Sequence, residues 1–176
     1  MRLTDRDIQI IEFITENKGA TIEQIYKMCF PSYDSAANRL KILSDNKFLN
    51  TGIHPVLGKK VYFIKKLPSY HSLIINDVAI VLKGKYKSIK REYKLKKYKI
   101  DCIFILNEGK LLIVEIDLFN KTSDKKLNDI MIILAESKIE FEIWIICKYE
   151  RRSKIKKIKY MKIEDIKNKL PSQTLI

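Results

Sequence analysis

Three acids set into apolar sequence are the residues of this chain best placed to do chemistry. Asp101 stands in Ile100-Asp101-Cys102-Ile103, and Glu115 and Asp117 in Ile113-Val114-Glu115-Ile116-Asp117-Leu118. Each carries a desolvation cost unless it is paired or sits at an exposed strand end, so a function or a salt bridge must hold it there. Asn107-Glu108-Gly109 is a hairpin turn signal between two apolar runs, and folding about it brings Asp101 opposite the end of the second run. Glu115 and Asp117 are two apart and share one strand face. Asp101, Glu115 and Asp117 are therefore candidate oxygen ligands for a divalent cation such as Mg²⁺. The alternative for the same acids is a set of salt bridges, with Lys125 and Lys126 among the available cations.

A second group of side chains suits nucleic acid. A short helical segment, roughly Asp34–Asn46, buries Ala36, Leu40 and Leu43 and leaves Ser35, Asn38, Arg39 and Lys41 on its other faces. Hydrogen-bonding residues on the free face of a short helix fit a major groove. Arg39 has a competing expectation, an ion pair with an acid of the first helical segment. Lys59 and Lys60 fall at a hairpin tip, within reach of phosphate or the adjacent minor groove. Between Lys83 and Lys99 nine basic residues, including Lys87, Lys90, Arg91 and Lys94, face one acid, Glu92, with Tyr86, Tyr93 and Tyr98 interleaved. Between Lys148 and Lys162 there are eight against Glu150. Neighbouring phosphates favour such clusters through counterion release, and tyrosines stack on bases. An edge strand and a loop kept soluble by lysine is the other reading of these clusters.

The elements that must position these residues can be read from capping and periodicity. Thr4–Glu16 is helical, with Thr4 as N-cap and Asp7 in the capping-box position. Thr21 with Gln24 opens a second helix, and Pro31 breaks the chain before the third. Phe48–Ile53 and Lys60–Ile64 read as a hairpin. Residues 1–67 therefore form an expected winged helix-turn-helix. Pro68 cannot extend the strand ladder and Ser69 can cap a new helix, so a second domain, 68–176, is expected from there. It reads as a helix at Tyr70–Leu82, strands at Tyr86–Tyr93, Tyr98–Leu106 and Lys110–Leu118, a helix at Asp124–Ser137 and a strand at Phe141–Cys147. A further strand at Lys156–Met161 and a helix at Ile163–Leu170 precede a loose tail, Pro171–Ile176. The whole is α+β, with an αβββαβ order that calls for a mixed sheet with helices on its faces.

Length and composition allow one large or two small domains, with 176 residues of which 46% are hydrophobic. The formal net charge is +14, from 35 basic and 21 acidic residues, and favours a polyanionic partner, nucleic acid ahead of an anionic membrane surface. Abundant Lys and Ile with scarce Ala and Gly also fit an AT-rich genome, so part of that charge is compositional. Cys29, Cys102 and Cys147 form no CxxC pair and read as small buried hydrophobes in a reducing compartment. His54 and His71 have no zinc-site spacing. No apolar run reaches membrane-spanning length and the N-terminus lacks a signal-peptide core, so a cytoplasmic protein is expected.

The αβββαβ order, with an acid in the second strand and Glu-x-acid in the third, resembles the restriction-endonuclease-like PD-(D/E)XK fold. In that pattern Asp101 and Glu115 match the two metal-binding acids and Asp77 the acid of the upstream helix. Asp117 stands where the pattern has its lysine. The chain as a whole resembles the plasmid replication-relaxation protein family. The carriers are Leu3-Thr4-Asp5-Arg6-Asp7-Ile8, Gln24-Ile25 to Phe30-Pro31-Ser32, Ala37-Asn38-Arg39-Leu40-Lys41-Ile42-Leu43, His71-Ser72-Leu73-Ile74-Ile75-Asn76-Asp77 and Val114-Glu115-Ile116-Asp117. The resemblance implies a DNA-binding protein of a plasmid or similar mobile element, acting in replication, mobilisation or their transcriptional regulation. It also implies an inactive nuclease-like half. The expected function is sequence-specific binding of double-stranded DNA, as a homodimer, without catalysis or cofactor. The alternatives are a Mg²⁺-dependent nuclease and a protein that recruits replication or conjugation machinery.

Overall fold

The computed structural model describes residues 1–153 and 155–168. The expected loose tail, Pro171–Ile176, and the last two residues of the expected final helix, Lys169 and Leu170, lie outside them. The fold is α+β, and the described residues divide into two compact units, Met1–Val81 and Leu82–Asn168.

The first unit opens with α1 (Asp5–Glu16), β1 (Ala20–Thr21), α2 (Ile22–Cys29) and α3 (Tyr33–Asp45). β2 (Asn50–Ile53), β3 (Lys60–Phe63) and α4 (Tyr70–Val81) complete it. Thr4 caps α1 as expected: its hydroxyl accepts from Asp7 N, and Asp7 Oδ2 accepts from Thr4 N at 2.7 Å. Thr21 and Gln24 make the same reciprocal box at α2. The two boxes satisfy helix-end N–H groups that would otherwise lack partners. Ile10, Phe13, Ile14, Ile25, Ala36, Leu40, Leu43 and Tyr62 then close one apolar core. The strands form an antiparallel sheet in the order β1-β3-β2. β1 is an addition to the sequence reading; two residues carry no periodicity.

Gly19 marks a tight approach within this unit. Its φ is +142°, and a Cβ there would lie 2.8 Å from Pro68 Cγ and 3.0 Å from the Tyr62 carbonyl oxygen. Its own carbonyl accepts from Asn76 Nδ2 of α4 at 2.7 Å. The Gln24 amide donates to Leu73 O at 2.7 Å and to Asp77 Oδ1 at 2.6 Å, both on α4. α4 thus lies within the compact unit Met1–Val81. These polar links tie α4 to Gly19 and to α2.

The second unit contains β4 (Tyr86–Leu95), β5 (Tyr98–Leu106), β6 (Leu111–Asp117), α5 (Asp124–Glu136), β7 (Phe141–Cys147), β8 (Ile158–Lys162) and α6 (Ile163–Asn168). Its sheet is mixed, in the order β4-β5-β6-β7-β8. The first two pairings are antiparallel hairpins and the last two are parallel. α5 is the crossover between β6 and β7. It packs Leu127, Ile130 and Leu134 on a sheet face lined by Ile100, Ile113, Phe141, Ile143 and Ile145. The β4–β5 turn at Lys96 and Lys97 is fastened to α5, because Asp129 accepts from the Tyr98 hydroxyl and pairs with Lys97 at 3.3 Å. Among the described residues no helix is long and apolar enough to cross a membrane.

Candidate nucleic-acid interface and acid cluster

In the first unit, burying Ala36, Leu40 and Leu43 turns Ser35, Asn38 and Lys41 to solvent, as 3.6-residue periodicity requires. Ser35 also serves the helix start, its hydroxyl accepting from the N-cap Ser32 at 2.8 Å. Arg39 is placed differently. Its guanidinium turns inward and makes a bidentate pair with Asp7, Nε donating to Oδ1 at 2.5 Å and Nη2 to Oδ2. Asp7 is fully buried, and the hydrogen bonds from Arg39 hold its carboxyl well below the usual carboxylate range. Arg39 thus braces α1 against α3, the competing expectation for this residue. An ion pair across 32 residues leaves no trace in local periodicity.

The β2–β3 hairpin is ordered from inside by His54. The imidazole is buried and its Nδ1 accepts from Val56 N and Leu57 N at 3.2 and 3.3 Å, while Gly58 N returns to His54 O at 2.8 Å. This small polar hub escaped the sequence reading, where His54 served only to rule out zinc. It holds out an exposed tip that carries Lys59 and Lys60. Lys59 makes only a 3.5 Å contact with Glu23, and Lys60 lies 5.4 Å over the Tyr62 ring.

On β4 the lysines and the arginine part company. Lys87, Lys90 and Lys94 are exposed, and Lys90 lies 5.8 Å from the Tyr93 ring. Arg91 is half-buried, and burial lowers its pKa. It is less accessible than the exposed lysines of the same strand.

The three acids do come to one end of the sheet. The β5–β6 ladder runs to Cys102 opposite Val114. One step further, Asp101 Oδ2 accepts the Ile116 N–H at 2.8 Å, which places its carboxylate beside Glu115. Glu115 is 3% exposed. Burial pushes its pKa up to about 7, aided by the charges of Asp101 and Asp117 and opposed by Lys126. Lys126, from the first turns of α5, brings Nζ within 2.8 Å of both Glu115 oxygens and donates also to Lys99 O at 2.7 Å. Asp117 has its own partners. Oδ1 accepts from the Thr122 amide and hydroxyl at 2.9 and 2.7 Å, and Oδ2 pairs with Arg151 at 2.9 Å.

Asp101, Glu115 and Asp117 are thus neighbours without forming the expected ligand set. Among the described residues no group of three His, Cys, Asp or Glu side chains is arranged to hold a metal ion. The physical reason is that each carboxylate already has a donor: a backbone amide, an ammonium and a guanidinium. The salt-bridge alternative describes this arrangement. Arg151 and Thr122, absent from the sequence reading, complete it. Asp77, the expected helical acid, accepts from Gln24 within the first unit.

No family model matches the chain, and no curated protein matches it. Three solved structures show a distant likeness. A repair endonuclease from Pyrococcus abyssi shares 11% identity over 60% of this chain and 52% of its own, with a TM-score of 0.38. Protein VC1899 from Vibrio cholerae shares 12% identity over 76% and 40%, with a TM-score of 0.43. The structure of an EndoMS–dsDNA2 complex shares 11% over 62% and 47%, with a TM-score of 0.34. The chain spans about half or less of the length of each. At these TM-scores the likenesses decide nothing about what this chain does.

Proposed function

We propose that the chain binds duplex DNA with sequence preference through a winged helix-turn-helix within residues 1–67, to whose second helix α4 is hydrogen-bonded. α3 enters the major groove and the β2–β3 hairpin is the wing. The observation that carries this reading is the division of α3. Its apolar stripe and Arg39 face inward, and Ser35, Asn38 and Lys41 face solvent on the core that also holds the basic hairpin. Residues 68–176 supply a basic α/β part whose exposed Lys87, Lys90 and Lys94 hold backbone phosphate. A homodimer on a repeated half-site would multiply the few base pairs that one short helix reads. The setting implied by the family resemblance is replication, mobilisation or regulation on a mobile element.

Selection of bound sites from random DNA, together with anisotropy titration, tests this. Asn38→Ala and Lys41→Ala are expected to cost about 1–3 kcal/mol at the base pair each reads and to relax preference there. Lys59→Ala and Lys60→Ala are expected to weaken all sequences alike. If both units hold phosphate, roughly 5–8 contacts give a log–log salt slope near −5 to −7. A slope shallower than about −2, or an unchanged preference in Asn38→Ala, sinks the reading.

A second reading, a metal-dependent nuclease, draws on one observation: Lys126 supplies from α5 the cation that Asp117 fails to supply from β6. Such a lysine can offset charge on a transferring phosphoryl group. The acids as held do not fit Mg²⁺, because Lys126 already donates to Glu115 Oε2, the Ile116 amide to Asp101, and Thr122 and Arg151 to Asp117. Purified protein with supercoiled DNA is therefore expected to leave it uncut in Mg²⁺ and in Mn²⁺. Metal-dependent cutting that vanishes in Glu115→Gln and Asp101→Asn would put the nuclease reading first.

A further inference from the structure

The parallel half of the larger sheet ends in two exposed aromatic rings. β6 and β7 pair Asp117 with Cys147. Two residues beyond each of these, Phe119 and Tyr149 are 89% and 71% exposed. Two residues further on come Lys121 and Arg151, so the adjacent loops carry the same order, Phe119-Asn120-Lys121 and Tyr149-Glu150-Arg151. A single exposed ring is unremarkable on a protein surface. Two rings at neighbouring strand ends, each succeeded at the same spacing by a cation, call for a ligand that offers both a flat apolar face and an anion.

The cations converge. Lys121 and Arg151 line one cavity of about 490 Å³ together with Thr122, Ser123 and Arg152, with Asp124 as the acid in its wall. Arg151 is already fixed, by its 2.9 Å bond to Asp117 and by stacking 5.5 Å from the Tyr160 ring, so less side-chain freedom is lost when it meets an anion. Arg152 is 92% exposed, and its 3.5 Å contact with Glu150 is solvent-screened. Lys148 Nζ lies 5.8 Å from the Tyr149 ring. The stretch from Lys148 to Lys162 holds eight basic residues against Glu150. An anionic polymer with flat bases complements both features. A paired duplex satisfies the cations at once, but offers base faces to Phe119 and Tyr149 only after unstacking.

We propose that these two loops bind an unpaired stretch of polynucleotide, its bases against Phe119 and Tyr149 and its phosphates at Lys121, Arg151 and Arg152. This site is separate from the proposed duplex-reading face and does not depend on it.

The test uses the full chain, a labelled oligothymidylate and a labelled blunt duplex. Phe119→Ala and Tyr149→Ala are each expected to weaken oligothymidylate binding about tenfold, the scale of one lost base–aromatic stack, and to leave duplex binding unchanged. Tyr149→Phe keeps the ring and is expected to bind like the parent. Both rings stand in solvent, so the variants retain the fold, which a thermal melt verifies. Photo-crosslinking with bromouracil-substituted oligonucleotide is expected to label the peptides that contain Phe119 and Tyr149. No measurable oligothymidylate binding overturns the proposal. So does parent-like binding in the double alanine variant, or crosslinks confined to other peptides. Single-strand binding retained while Asn38→Ala leaves duplex preference untouched overturns the winged-helix reading alone.

Discussion

Asp7→Asn is expected to lower the stability of the first unit by about 3 kcal/mol, as removing one member of a buried ion pair does. Asp7 is fully buried and serves two masters, the Thr4 cap and the Arg39 guanidinium, so asparagine breaks the pair and weakens the cap together. The effect should carry a pH signature. The folded pKa of Asp7 is depressed, so its contribution is fully present above the ordinary carboxylate pKa and is lost as pH falls through the folded value. Wild type should therefore approach the variant only in strong acid, well below about pH 4. Arg39→Ala should show a comparable loss, and a double-mutant cycle with Asp7→Ala should give a coupling of about 2 kcal/mol or more. Urea unfolding at pH 7 measures both. Additive losses would mean that the pair contributes nothing beyond its separate contacts.

Glu115→Gln is expected to act in the opposite direction. The folded pKa of Glu115 is raised from 4.5 to about 7. Its contribution is therefore fully present below the unfolded pKa and is lost as pH rises through about 7. At pH 8 the buried carboxylate costs the second unit about 2–3 kcal/mol, and the glutamine variant should be more stable than wild type by up to that amount. At pH 5 the two should nearly coincide. Denaturant midpoints across that range check the sign. A variant less stable than wild type at pH 8 would show that the Lys126 pair outweighs the burial of Glu115.

Local signals carried most of the architecture. Thr4 with Asp7 and Thr21 with Gln24 announced two helix starts, and both boxes are closed in the structure. Largely apolar segments bounded by turn and charge signals located Tyr98–Leu106 and Phe141–Cys147 to the residue. The Asn107–Gly109 turn brought Asp101 next to Glu115, as counting along a hairpin predicts. The features that stayed hidden depend on side chains far apart in sequence. Arg39 looks like any polar residue of a free helix face until Asp7 is found beside it. Arg91 sits in a run of lysines yet turns inward. Lys126 and Lys125 are indistinguishable by type, and only the packing of α5 on the sheet selects Lys126 for Glu115. The partner of Asp117 arrives from a loop that carries no periodic signal at all.

The amide of Gln24 has a consequence for how such a chain can be inherited. One end of that side chain closes the α2 cap and the other is committed to Leu73 and Asp77 of α4. A recombination event with its crossover at Pro68 would look harmless, since a proline-led linker is where exchangeable cassettes usually join. Here it would deliver residues 1–67 without the Leu73 and Asp77 acceptors of the Gln24 amide and without the Asn76 contact to Gly19. Breakpoints that preserve these contacts must fall beyond Val81. Any lineage that swaps the sheet-bearing half while keeping the first three helices must carry α4 along with them.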